Sequence, residues 1–126
     1  MPTDDEKRLL ETCLGPLMTR LQRAQSAYAY YREVDMTFRG ALVLWRANTD
    51  LTRHLLDTAW LLPADLQAQA ARIVNHIDVW ASLWEHHRDE QKPGLDDTFA
   101  FPNDHRFPAD AEAALKAYYE QLKSPG

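Results

Sequence analysis

Apolar residues recur along most of this chain in alternating steps of four and three positions. Such spacing puts every member on one face of an α-helix, and that face must be buried against a neighbour. Three long segments carry a stripe of this kind: Leu10, Leu14, Leu17, Leu21, Ala24, Tyr28 and Tyr31; Ala41, Leu44, Asn48, Leu51, Leu55, Thr58 and Leu62; and Leu66, Ala70, Ile73, Ile77, Trp80, Trp84 and His87. No sustained alternation of apolar and polar residues, which a half-buried strand requires, accompanies them. The pattern predicts an all-α fold.

Helix-breaking residues divide the stripes into elements. The first stripe runs in phase across Gly15-Pro16, which predicts one long helix kinked there or two short helices stacked end to end. Only residues 60–63 separate the second and third predicted helices, so these helices must be antiparallel neighbours. A shorter helix follows Pro108, and residues 92–107 contain the turn formers of an ordered or semi-ordered loop. We expect a single domain, residues 1–126, folded as an antiparallel bundle of three long helices and a shorter C-terminal helix.

Composition narrows the class of protein. Cys13 is the single cysteine, which excludes a disulfide framework and any zinc site built from the cysteines of one chain. The net charge of −5 argues against a nucleic-acid partner, because such proteins carry a basic excess. No apolar run reaches the ~18 residues of a membrane span, and the acidic start of the chain differs from a secretion signal. We expect a cytoplasmic protein without a membrane partner.

Histidines are the candidate metal ligands. The four considered are His54, His76, His86 and His87. Neutral imidazoles bind zinc, copper or iron, but these side chains would have to converge from separate helices. The alternative interpretation is a set of surface and helix-end histidines. The Glu-x-x-His pairs of dinuclear carboxylate bundles are missing, and no Gly-rich phosphate loop precedes a helix. The sequence predicts no cofactor and favours a non-enzymatic protein, with catalysis left open.

Charge is segregated along the chain. Seven acids and two bases lie between residues 89 and 112, so this stretch accounts for the whole net charge. On the second predicted helix Arg39, Arg46 and Arg53 lie seven residues apart, on the face opposite the leucine stripe. An aspartate follows each of the last two by four residues, at the spacing of a helical ion pair. Both patterns are typical of a solvated surface, and both also suit docking faces for oppositely charged partners.

Aromatic side chains in the predicted loop are the second candidate interface. The loop contains Phe99, Phe101 and Phe107 together with the acids Asp96, Asp97 and Asp104. Each buried phenylalanine removes well over ~100 Å² from water, so such rings are rarely left exposed without a function. One interpretation is that the rings pin the loop onto the bundle. The other is that one or more of them anchor a protein partner.

Three functional hypotheses follow. The leading one is a small non-enzymatic adaptor, regulator or inhibitor that docks a protein through the phenylalanines, the loop acids and the three arginines. The alternative is a metal- or small-ligand-binding bundle, either a binding protein or an enzyme, that uses the histidines of the second and third helices. The third hypothesis is a homo-oligomer, because Leu42, Leu56 and Leu83 are apolar residues that lie outside the single buried stripe of each helix. Asn48, polar within a leucine stripe, is expected to fix helix register or to line a cavity.

Overall fold

A computed structural model describes residues 2–103 and 105–124 of the chain. The helices are α1 (Asp4–Leu9), α2 (Gly15–Glu33), α3 (Phe38–Thr58), α4 (Ala64–Gln91) and α5 (Ala109–Lys123). A π-helical turn, Leu10–Leu14, joins α1 to α2, and a 3₁₀ turn, Ala59–Leu61, follows α3. Among the described residues the one pairing of extended backbone is an isolated bridge between Thr37 and Thr98. The predicted all-α fold, with three long helical segments and a shorter last helix, is confirmed.

The interruption predicted at Gly15-Pro16 is a widened turn inside a continuous helical segment. Pro16 has no N–H to donate to the preceding turn. The N–H of Gly15 instead donates to the carbonyl of Leu10, five residues back. A Cβ atom at position 15 would lie 2.8 Å from that carbonyl oxygen, so only glycine fits this close approach. The extra residue of the π turn shifts the inward-facing position of α1 by one, so that Leu9 is buried and the stripe residue Leu10 is only partly buried.

The predicted stripes form the core. Leu51 and Leu55 of α3 and Ile73 of α4 are fully buried, and all members of the α4 stripe from Leu66 to Trp84 are buried. Helices α2 and α3 pack as one pair and α4 and α5 as another, with α3 also against α4. Tyr28 is an exception, because the prediction turned it inward and the structure leaves it 55% exposed. Its face of α2 borders a cavity rather than another helix.

Backbone groups of the segment after α4 cap the start of α3. The N–H of Phe38 donates to the carbonyl of Asp97 at 2.8 Å, and the N–H of Arg39 donates to the carbonyl of Leu95 at 3.0 Å. The first N–H groups of a helix have no partner within it, so these bonds satisfy donors that would otherwise need water. This contact holds the predicted loop against the bundle.

Phe99 fixes the same segment through its side chain. The ring is fully buried, with ring centroids 5.2 Å from Phe38 and 5.5 Å from Trp84. The hydroxyl of Tyr31 donates to the carbonyl of Phe99. The loop is therefore packed at this point, and the Phe99 ring offers no surface to a partner in this fold.

Candidate functional site

A difference in length between α4 and α5 leaves a cavity in the bundle. Helix α4 has 28 residues and α5 has 15, which correspond to about 42 and 22 Å. Helix α5 begins beside the third turn of α4, where the guanidinium of Arg72 donates to both carboxylate oxygens of Asp110 at 2.7 and 3.0 Å. It then runs back towards the start of α4. The groove between α2 and the C-terminal half of α4 is left without a helix to fill it.

The unfilled groove is a chamber of about 610 Å³, which we call the aromatic chamber. Its walls are α2, α3 and α4, residues 100–103 and 105–107 partly cover it, and the first turn of α5 closes one end. The aromatic residues that line it are Tyr28, Tyr31, Trp80, Trp84, Phe101 and Phe107. Apolar side chains such as Leu21, Leu44 and Leu51 complete the walls.

The chamber is too large to be a packing defect. A dry void costs about 24 cal/mol per Å³, so 610 Å³ would cost about 15 kcal/mol. That figure equals or exceeds the net stability of an ordinary domain, about 5–15 kcal/mol. The chamber must therefore be occupied, by solvent or by a ligand. Its volume lies within the ~300–1,000 Å³ of small-molecule sites.

Glu112 supplies the polar end of the chamber. Of the described residues it is the only charged one that is buried, at 9% exposure. Its Oε1 accepts a hydrogen bond from Nε2 of Gln25 at 2.8 Å and lies 3.7 Å from Nζ of Lys116. Its Oε2 has no partner among the described residues. The chamber thus combines an apolar body with one buried carboxylate that has an oxygen to spare.

His76 lies in the chamber wall, half-buried, with its ring 5.3 Å from that of Phe107 in an edge-on arrangement. Burial lowers the pKa of His76, and the neighbouring His105 lowers it further. A pKa below the ordinary value near 6.5 keeps this imidazole neutral at pH 7. His76 therefore contributes hydrogen-bonding capacity to the chamber without adding a positive charge.

The predicted metal ligands lie in three separate places. His54 contacts the π turn, His76 lines the chamber, and His86 and His87 lie near the end of α4. The described residues contain no group of three His, Cys, Asp or Glu side chains that could hold a metal ion. The structure therefore does not bring together the metal site considered from the sequence.

Each of the other histidines has a local contact. Nε2 of His54 donates to the carbonyl of Cys13 at 2.8 Å, so that nitrogen carries the hydrogen. His86 lies 3.0 Å from Glu90, and the ring of His87 stacks on Phe101 at 4.9 Å.

Burial raises the pKa of the Cys13 thiol, against a smaller lowering by its hydrogen bond from Thr58. A fully buried thiol of raised pKa is a poor nucleophile.

The charged residues predicted to dock a partner are partly engaged within the chain. Arg39 pairs with Asp96 at 3.2 Å, across two exposed side chains. The carboxylate of Asp97 accepts the N–H of Gly94 at 2.7 Å and so closes a turn. Arg46 and Arg53 are exposed and form no ion pair with any residue that the structure describes. Asp104 lies outside the described residues.

The helical ion pair expected between Arg46 and Asp50 does not form. Asp50 instead lies 3.3 Å from Arg20 and 3.5 Å from Arg23, both on α2. An ion pair between exposed side chains on adjacent turns of one helix stabilises the fold by only a few tenths of a kcal/mol. Asp50 pairs with the arginines of α2 because that helix packs against α3, a contact that residue spacing within α3 does not reveal.

Sequence reasoning missed the aromatic chamber as a whole. One signal pointed to it: Asn48 interrupts the leucine stripe of α3, and the structure puts this half-buried amide in the chamber wall.

Comparison of the chain with known protein families, with curated proteins and with solved structures found no match. Within the described ranges no helix is both long and apolar enough to cross a bilayer.

Proposed function

We propose that this protein binds a small molecule with a flat, largely apolar body in the aromatic chamber. The observation that carries the proposal is the chamber of about 610 Å³ with six aromatic residues in its walls. Ligand sites are typically apolar cavities of this size with a few polar groups that orient the ligand. Gln25, His76 and Glu112 are such groups here.

Binding rather than catalysis is the activity we propose. A nucleophile needs an adjacent base and access to substrate. Cys13 is fully buried and is absent from the chamber wall, and His54 beside it is engaged with a backbone carbonyl. The chamber itself contains one buried carboxylate and one half-buried imidazole, which suit recognition by hydrogen bonds.

The proposal is tested with a neutral apolar dye, N-phenyl-naphthylamine, whose fluorescence rises in apolar surroundings. We expect saturable binding to the wild-type protein and loss of that binding in Ala24→Phe, because Ala24 lines the chamber and a phenyl ring there would occupy it. Ala68→Phe is the matched control, on an exposed position of α4 away from the chamber. Equal dye binding by the two variants would refute the proposal.

A filling substitution can also disturb folding, so both variants are first compared by thermal unfolding. If Ala24→Phe unfolds, Ala100→Trp is the substitute, because Ala100 lies on the exposed segment that borders the chamber. Partial loss of dye binding in Ala100→Trp with an unchanged melting temperature would support the chamber. Unchanged binding in a folded Ala100→Trp would count against it.

A second candidate function, self-association, is favoured by a separate apolar patch. Leu56 is 68% exposed and Trp60 is 63% exposed, beside a shallow groove of about 380 Å³ between α3 and α4. Trp60 is held in position, since its Nε1 donates to the carbonyl of Asp57 at 3.1 Å and Arg8 lies over its ring. Exposed, fixed tryptophans are typical of interfaces. A light-scattering mass of 14.6 kDa at all concentrations would exclude this second candidate.

Docking of a different protein through the loop stays a prediction. Phe107, 37% exposed, and the exposed arginines Arg46 and Arg53, which form no ion pair with a described residue, support it, whereas Phe99 belongs to the core.

We also retain the proposal of a cytoplasmic location. A single, buried free thiol at Cys13 is compatible with that location.

A further inference from the structure

We propose that the ligand of the aromatic chamber carries a protonated amine and that Oε2 of Glu112 binds it. This inference rests on the proposed function and names its ligand class, an aromatic or otherwise apolar amine. Glu112 lines the chamber, is 9% exposed, and has both of its partners on the other carboxylate oxygen.

The existing partners of Glu112 leave its charge incompletely matched. Gln25 is a neutral donor, and Lys116 is half-exposed with its Nζ 3.7 Å away, longer than a good ionic hydrogen bond. A buried carboxylate is costly unless hydrogen bonds and opposite charge compensate it. An ammonium group in the chamber would donate directly to Oε2 and supply that compensation.

The aromatic walls favour the same class of ligand. The faces of tryptophan and tyrosine rings attract a cation within about 6 Å. Tyr28, Tyr31 and Trp80 line the chamber, whereas the ring of Trp84 is already covered by Trp45, Phe38 and Arg88. Such rings accept an organic ammonium ion together with its carbon skeleton.

Positive groups also border the chamber, and their positions decide how far they oppose an amine. Arg32 and Arg106 line it but are exposed, so water and salt screen their charge. His76 is half-buried, and its lowered pKa keeps it neutral at pH 7. Among the described residues that line the chamber, the buried charge is therefore the carboxylate of Glu112. A buried charge is screened less than an exposed one.

The test uses three probes with one carbon skeleton: phenethylamine, phenethyl alcohol and phenylacetate. Their dissociation constants at pH 7 are obtained by displacement of the neutral dye. We expect the amine to bind about tenfold or more tightly than the alcohol, as a hydrogen bond to a buried charge implies. We expect phenylacetate to bind most weakly, because its carboxylate would meet Glu112.

The decisive variant is Glu112→Gln, which keeps the shape of the side chain and removes its charge. We expect it to bind the amine no better than the alcohol. Glu120→Gln, on an exposed position of α5 outside the chamber, is the matched control and should keep the preference of the wild-type protein. An unaltered preference in Glu112→Gln would overturn the inference.

The two proposals fail in different ways. If the dye binds in the chamber but the wild-type protein does not prefer the amine, the inference about Glu112 is wrong and the proposed function stands. If neither the dye nor any of the three probes binds, both are wrong. The comparison of probes on the wild-type protein needs no variant, so the inference is testable even if Glu112→Gln does not fold.

Discussion

Truncation of Phe99 to alanine tests how firmly the segment after α4 is held. The ring is fully buried, in edge-on contact with Phe38, Trp84 and Phe101 at centroid distances of 5.2, 5.5 and 5.7 Å. Removal of a buried phenylalanine ring costs about 3–5 kcal/mol, because transfer energy and a residual cavity add. We expect Phe99→Ala to lower the free energy of unfolding by that amount.

Phe107→Ala is the matched comparison within the same segment. Its ring is 37% exposed, and its one aromatic contact among the described residues is His76. We expect its truncation to cost no more than about 1 kcal/mol, as for other partly exposed side chains. Both variants are measured by urea denaturation followed by far-UV circular dichroism, with the slope of the transition checked for a change in the denatured state.

The contrast between the two variants carries the test. Because residues 100–103 and 105–107 partly cover the aromatic chamber, Phe99→Ala should also weaken dye binding even under conditions where it stays folded. A loss below about 1 kcal/mol in Phe99→Ala, or equal losses in the two variants, would show that the segment is not clamped by Phe99. The packing described for the loop would then be incorrect.

Two further outcomes are expected. His54→Ala should lower the free energy of unfolding by about 1–3 kcal/mol, because it leaves the carbonyl of Cys13 without its donor. His86→Ala, exposed on α4, should stay within about 0.5 kcal/mol in the same denaturation experiment. The lowered pKa of His76 means that the unfolded chain binds more protons between the folded pKa and about 6.5. The free energy of unfolding should therefore fall as pH decreases through that window, and His76→Asn should lack this fall. If the urea midpoint of His76→Asn depends on pH as that of the wild-type protein does, the expectation is wrong.

Periodicity was sufficient to predict the helices and most of the core. Leu51 and Ile73 sit on stripes whose spacing leaves one face of a helix apolar, and both are fully buried. The same reasoning misplaced Tyr28, because a stripe identifies the apolar face but not the neighbour that covers it. On α2 the face of Tyr28 borders the chamber and is left without a helix.

The candidate site depends on tertiary relations that spacing does not encode. The chamber exists because α5 begins beside Arg72 and so covers only the first part of α4. Where a helix docks after a loop of this length is set by the path of the loop, here by Phe99 and the backbone caps on α3. The acidic stretch that ends at Glu112 is typical in sequence of a solvated surface, and the burial of Glu112 follows from the same docking.

The most direct test of the account uses the indole N–H signals of the tryptophans in a two-dimensional NMR spectrum of the labelled protein. The neutral dye is titrated into the wild-type chain. Trp80 and Trp84 line the aromatic chamber, whereas Trp60 lies on the exposed patch near the end of α3. Binding in the chamber predicts that the signals of Trp80 and Trp84 shift together and saturate while that of Trp60 stays fixed. A shift confined to Trp60, or no shift at Trp80 and Trp84, would contradict the chamber as the binding site.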